Sequence, residues 1–228
     1  MTNYSIYLIF GIIAIVSYIV QARLNSKFEK YSKEAIPNGL RGCDVAQRML
    51  AQYGLHDVRV TQVGGRLTDH YNPTDKTVNL SPEVYNGNSV AAAAVAAHEC
   101  GHAVQHATAY SFLTLRSKMV PVVSFASKVM PWLLLAGIFT IETFPQLMLG
   151  GIILFASTTL FSVVTLPVEI DASQRALAWL NSARITDYAT HDHAKDALKS
   201  AAYTYVVAAL GSLATLVYYI LIFTSRRD

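Results

Sequence analysis

Charge is scarce along this chain: 14% of its 228 residues are Asp, Glu, Lys or Arg, where a soluble domain carries about 25%. Apolar residues make up 53%, so much of the chain is expected to sit in lipid. A basic stripe is missing too. The net charge is only +3, and Lys and Arg are spread thinly, which argues against nucleic acid as a partner. Cysteine is almost absent. Cys43 and Cys100 are too few for a disulfide framework and read as reduced thiols. There is no internal repeat and no low-complexity tract.

What the chain has instead is long apolar runs. A spanning helix needs about 20 mostly apolar residues, and four stretches approach this. The first, Tyr4 to Val20, is short but free of charge. The second, Met119 to Ile141, contains Pro121, Lys128 and Pro131, and its first half could lie along the interface. Leu147 to Leu166 and Tyr203 to Phe223 are the clearest. No basic residue precedes the first run and no A-x-A-like site follows it, so it reads as an uncleaved anchor rather than a signal peptide.

Four crossings put both termini on one side of the membrane and residues 21 to 118 and 167 to 202 on the other. That second side carries Arg23, Lys27, Lys30, Lys33, Arg116, Lys118, Arg175, Arg184, Lys195 and Lys199. The side of the termini carries Arg226 and Arg227. The positive-inside rule therefore places the polar segments in the cytoplasm.

Within residues 21 to 118 the pattern changes. A turn is expected at Pro37 to Gly39. Residues 42 to 53 present Val45, Met49 and Leu50 on one helical face, closed by Gly54. Between residues 57 and 80, alternating β-type residues and turn signals at Gly64-Gly65 and Asn72 to Asp75 predict three short strands. The alanine-rich "SVAAAAVAAHECGHAVQHA" then has high helix propensity, with Asn88 or Ser89 as its N-cap.

That helix carries His98-Glu99-x-x-His102. Four residues make about 400° of helical rotation, so the two imidazoles share a face one turn apart and can converge on a tetrahedral Zn²⁺. Glu99, beside the first ligand, can take a proton from a zinc-activated water as general base. Gly101 leaves space for another element to approach. His106 extends the row, but eight residues of straight helix rise about 12 Å, too far for three ligands on one ion. It reads as a surface or supporting residue.

A catalytic zinc needs a third protein ligand. Glu142 and Asp228 fall on the far side of the membrane. Glu29 and Glu34 lie in a lysine-rich run and read as solvated. Asp44 and Asp57 read as surface or capping positions, Asp69 and Asp75 flank a turn, and Glu83 follows a proline at a helix start. There remains "LPVEIDASQRALAWL", residues 166 to 180, where the third crossing returns. Glu169 shares a stripe with the small Ser173 and Ala176 and is the expected ligand. Asp171 is expected to orient a histidine or to pair with Arg175. Two crossings separate His102 from Glu169, so both reach the same side.

These residues resemble a known group. "LTDHYNPTDKTVNLSPEVY", "VAAHECGHAVQH", "LPVEIDASQRAL" and "AAYTYVVAAL" together are similar to the bacterial membrane neutral zinc metallopeptidases, the YugP-like family, over nearly the whole chain. The resemblance implies zinc-dependent peptide hydrolysis, with His98, His102 and Glu169 as metal ligands and Glu99 as the catalytic carboxylate. More distant membrane gluzincins, the CaaX-type and HtpX-like proteases, carry an Asp four residues after the ligand Glu. Here that position is Ser173, and Asp171 is the candidate to replace it.

The expected architecture is an α+β membrane protein. It has about four transmembrane helices plus a small zincin-like catalytic core with a short β-sheet and an H-E-x-x-H helix. Its parts are an anchor at 1–22, a catalytic segment at 23–118, and membrane helices at 119–228 with the third-ligand segment at 167–180. The expected function is that of a membrane-embedded zinc metalloprotease, a metalloendopeptidase acting on polypeptides, membrane proteins among them. The alternative is a catalytically silent zinc-binding scaffold or partner-binding protein. A transporter is disfavoured because the polar residues of interest lie outside the spans. Supporting candidates are Asp171 and Ser173; for the oxyanion, Arg175, His70 and Tyr205 stand with Tyr71, His191 and His193, and the sequence does not choose among them. Asp192, within His191-Asp192-His193, is expected to cap a helix.

Overall fold

Across residues 3–225, which the computed structural model describes, the chain is mostly helical. The elements run α1 (Asn3–Ser32), α2 (Gly42–Gln52), β1 (Arg59–Gln62), β2 (His70–Asn72), β3 (Thr77–Leu80), α3 (Pro82–Asn86), α4 (Val90–Ala107), α5 (Ser111–Phe139), α6 (Pro145–Ser182) and α7 (Tyr188–Ser225). By length and composition α1, α5, α6 and α7 could each cross a membrane. These helices run beyond the apolar stretches that announce them. α6 continues through Pro167 to Ser182, and α5 contains both Pro121 and Pro131. Each proline removes one backbone donor, but the flanking turns keep the helix going. Arg226, Arg227 and Asp228 lie outside the described residues.

The residues group into two units. One comprises residues 20–113 and 167–203. Its sheet has the order β1-β3-β2, with β1 parallel and β2 antiparallel to the central strand. All four residues of β3 are buried. The β2–β3 turn is set by Asn72, whose side chain accepts from the Thr74 backbone N–H (2.9 Å) and donates to Asp75 (2.9 Å), an Asx turn.

Helix α2 opens where the Asp44 carboxylate accepts from both the Arg41 backbone N–H (3.1 Å) and its guanidinium (3.0 Å), and it closes at Gly54, whose φ of +70° favours glycine. Its apolar face, including Val45, Ala46, Met49 and Leu50, is buried. Helix α4 starts at Ser89, which accepts from the Ala92 N–H at 3.2 Å. The run Ala91 to Ala94, with Ala96 and Ala97, is buried. Alanine adds little width, so α2, α3, β2 and β3 all pack against α4. The core around it includes Met49, Val78, Leu80, Val90, Leu180 and Ile185.

Two sequence expectations are corrected here. Helix α7 is capped by Asp187, not Asp192: Asp187 accepts from the Thr190 N–H (2.8 Å) and donates its own N–H to the Thr190 hydroxyl (2.9 Å). Asp192 lies inside the helix. Glu34 is not simply solvated, because it pairs with His193 Nδ1 at 2.8 Å. Tyr31 stacks on that imidazole and donates to Asp196, which also holds Lys27 at 2.6 Å.

The other unit holds residues up to 19, 114–166 and 204 onward. Leu134, Ile141, Met148 and Ile152 form its buried cluster, with Leu216 and Tyr219 against it. A methyl on Gly137 would lie 2.6 Å from the Met148 backbone, so two helices touch there along their backbones. Thr159 and Ser212 share a hydrogen bond of 2.8 Å. Large apolar side chains such as Trp132 and Phe139 point outward.

Candidate metal centre

His98 and His102 stand one turn apart on α4, their rings 4.8 Å apart and nearly perpendicular. Glu169 reaches them from α6. Its Oε2 lies 3.2 Å from His98 Nε2 and 3.6 Å from His102 Nε2. Glu169 is 3% exposed. Among the described residues this is the group of ligating side chains that could hold a metal ion.

The meeting depends on Gly101. A Cβ there would fall 2.6 Å from the Ala172 carbonyl oxygen, so the α4 and α6 backbones are in direct contact between the two histidines. Any side chain at residue 101 would push Glu169 away. Sequence reasoning assigned Gly101 this role, and its contact is now specific.

The donor set fits zinc. Ligand atoms about 2 Å from a tetrahedral ion lie roughly 3.3 Å from one another, close to the two Nε2–Oε2 distances. Two imidazoles and one carboxylate also leave a coordination position open. The electrostatics favour a cation. Burial works against a charged His102, yet the facing Glu169 carboxylate, the charge of Glu99 and the Gln105 contact together hold its pKa above the ordinary value. A site that attracts a proton against desolvation has negative potential available for a divalent ion.

Behind the three ligands the remaining candidates sort themselves. Ser173 Oγ lies 3.1 Å from His98 Nδ1. Asp171 pairs with Arg175 at 2.6 Å and accepts from Gln105 Nε2 at 2.7 Å. Gln105, fully buried, contacts His102 Nδ1 at 3.0 Å. Arg175 lies over the Tyr110 ring. Gln105 and Tyr110 were not singled out from sequence. The available signal for Gln105 was its spacing, three residues after His102 and therefore on the same helix face.

Glu99 is 8% exposed on α4. His106 is exposed and meets the Tyr71 hydroxyl at 3.0 Å. His70, also exposed, hydrogen-bonds the Thr68 carbonyl at 2.7 Å. His191 meets Thr186 and His193 meets Glu34. Tyr205 lies on α7 in the unit that does not contain the three ligands. Cys100, buried with its thiol 3.6 Å from the Ala46 carbonyl, has its pKa pushed well up by burial. It behaves as a core residue.

A sequence profile described as "Putative neutral zinc metallopeptidase" matches residues 6–224. The chain belongs to this family. It is 44% identical over 213 residues to the "Putative membrane protease YugP" of Bacillus subtilis (strain 168), covering 93% of this chain and 94% of that protein. No solved structure matches. With four helices of spanning length and a membrane-protease relative, the chain is a multi-pass membrane protein. Zinc is the metal of the family, and His98, His102 and Glu169 are the group here that could take it.

Proposed function

We propose that the chain is a membrane metalloendopeptidase whose zinc is held by His98, His102 and Glu169, with Glu99 as general base. The observation that carries this reading is the convergence of two imidazoles from one helical turn with a buried carboxylate from α6. A zinc ion held there would polarise a carbonyl and lower the pKa of water toward 7. Glu99 follows His98 directly and is largely withdrawn from solvent. Its carboxylate takes the proton of the attacking water and passes it to the departing amine.

In this reading the core is zincin-like and the ligand set is that of a gluzincin. Substrate is an extended polypeptide, which can be recognised by main-chain pairing with an edge strand of the sheet. Strands β1 and β2 are the edges, and β2 packs on the motif helix. The active site faces the cytoplasm, by the distribution of Lys and Arg. His70, in the same unit as the three ligands, is the candidate for stabilising the oxyanion.

The test is cleavage of a casein-like substrate by the purified full chain, with zinc content measured in parallel. Glu99→Gln should keep zinc and lose about 10²- to 10⁴-fold in rate. Zinc bound without Glu99-dependent cleavage would leave a silent zinc scaffold. A cysteine-accessibility map of the 57–80 loops would decide the side of the membrane.

A further inference from the structure

We propose that Gln105 is a positioning residue. It locks the His102 imidazole with its proton on Nδ1 and so presents the bare Nε2 to the metal. This rests on the metal-centre reading and adds a residue and a direction of hydrogen bonding to it.

The argument follows from donors and acceptors. The Gln105 Nε2 atom sits 2.8 Å from the Val168 carbonyl oxygen and 2.7 Å from Asp171 Oδ2. A carbonyl and a carboxylate can only accept. The amide nitrogen must face both, and its two hydrogens are used. The amide oxygen is then the atom that faces His102, at 3.0 Å from Nδ1. An amide oxygen can only accept, so Nδ1 must carry the proton. In a neutral imidazole the other nitrogen is then unprotonated, and it is His102 Nε2 that points toward Glu169 Oε2. The orientation of Gln105 is not free to reverse, because reversal would set its oxygen against two acceptors. Asp171 is held in place in turn by Arg175 at 2.6 Å.

His98 is treated differently. Its Nδ1 meets the Ser173 hydroxyl, which can donate or accept, so that contact does not dictate a tautomer. The segment 168–175 of α6 therefore delivers Glu169, touches His98 directly through Ser173, and governs His102 through Gln105. Gln105 is 0% exposed and sits where an aliphatic residue would be the simpler filling. Buried amides persist when every donor and acceptor is met, and here all of them are.

The experiment measures zinc affinity of the full chain in detergent by chelator competition, with thermal midpoints as a control for folding. Gln105→Met keeps the volume and removes the polarity, and should weaken zinc binding about 10- to 100-fold. Gln105→Glu sets a carboxylate against Asp171 and should weaken it as well. Adding Asp171→Asn should recover at least about threefold of that loss, which a packing role does not predict. Nitrogen-15 spectra of the zinc-loaded wild-type chain, with His102 assigned by difference against His102→Ala, should show a proton on Nδ1. That readout stands even if the Gln105 variants fail to fold. The proposal is overturned by wild-type zinc affinity in Gln105→Met, by no recovery in the double variant, or by a proton on Nε2. If the wild-type chain binds no zinc, the metal centre itself is wrong and the proposal falls with it.

Discussion

The two units spend their apolar residues in opposite ways. Around the metal centre, Met49, Val78, Leu80 and Leu180 are sealed in a core, and the surface carries ion pairs such as Arg41–Asp44 and Lys76–Asp57. In the other unit Leu8, Trp132, Phe139 and Leu210 are 60% to 82% exposed. Water would not tolerate so much apolar surface on a monomer, whereas lipid tails are as apolar as the side chains they touch. With no hydrophobic gain between helices, that unit relies on close backbone approach and hydrogen bonds. Gly137 against Met148 and Thr159 with Ser212 supply both. One composition thus builds two kinds of packing, and the surrounding solvent decides which.

The widest gap between the units should appear on truncating side chains. Leu180→Ala, at a fully buried site, should cost about 2–5 kcal/mol by chemical denaturation in mixed micelles. Ile15→Ala, at a site 61% exposed, should change stability by less than about 1 kcal/mol, because lipid fills the space. Equal effects would erase the distinction.

Metal removal should divide the molecule next. Zinc at 100 times its dissociation constant stabilises by about 2.7 kcal/mol. A chelator should therefore lower the thermal midpoint and speed amide exchange in residues 90–107 and 167–180, with zinc reversing both. Uniform loosening of α5 and the second half of α7 would contradict a localised centre.

The smallest contrast concerns glycine. Gly101→Ala forces a methyl to 2.6 Å from Ala172 O and should cost about 1–3 kcal/mol along with weaker zinc binding. Gly11→Ala meets nothing within 4 Å and should gain about 0.5–1 kcal/mol from helix propensity. The two substitutions are chemically identical, so a common sign would show that the contact at Gly101 carries no weight.

Much of this was legible in the residues. The Ser89 cap, the Gly54 stop, the three strands and the four long apolar helices follow from local chemistry and periodicity. Glu169 emerged by excluding other acids and by counting crossings, and the structure brings it to the two histidines. What local pattern could not supply was partnership at long range. The parallel pairing of β1 with β3 depends on how a connection packs. Glu34 looked solvated among lysines because its partner His193 is 159 residues away. Asp192 resembled a cap because spacing alone does not exclude it, while Asp187 wins through a reciprocal bond with Thr190. Gln105 was passed over since a glutamine near a helix end reads as surface until its neighbours 63 and 66 residues on are known.

The alanine run of α4 has one more consequence. A rod so slender, wrapped on several sides, contributes almost nothing to the shape of a cleft beyond the motif itself. In the peptidase reading it would anchor the chemistry without discriminating among peptides. Preference for one sequence over another would then have to be written on the sheet rim and on α6, elements that can change their outward side chains while the rod keeps its grip.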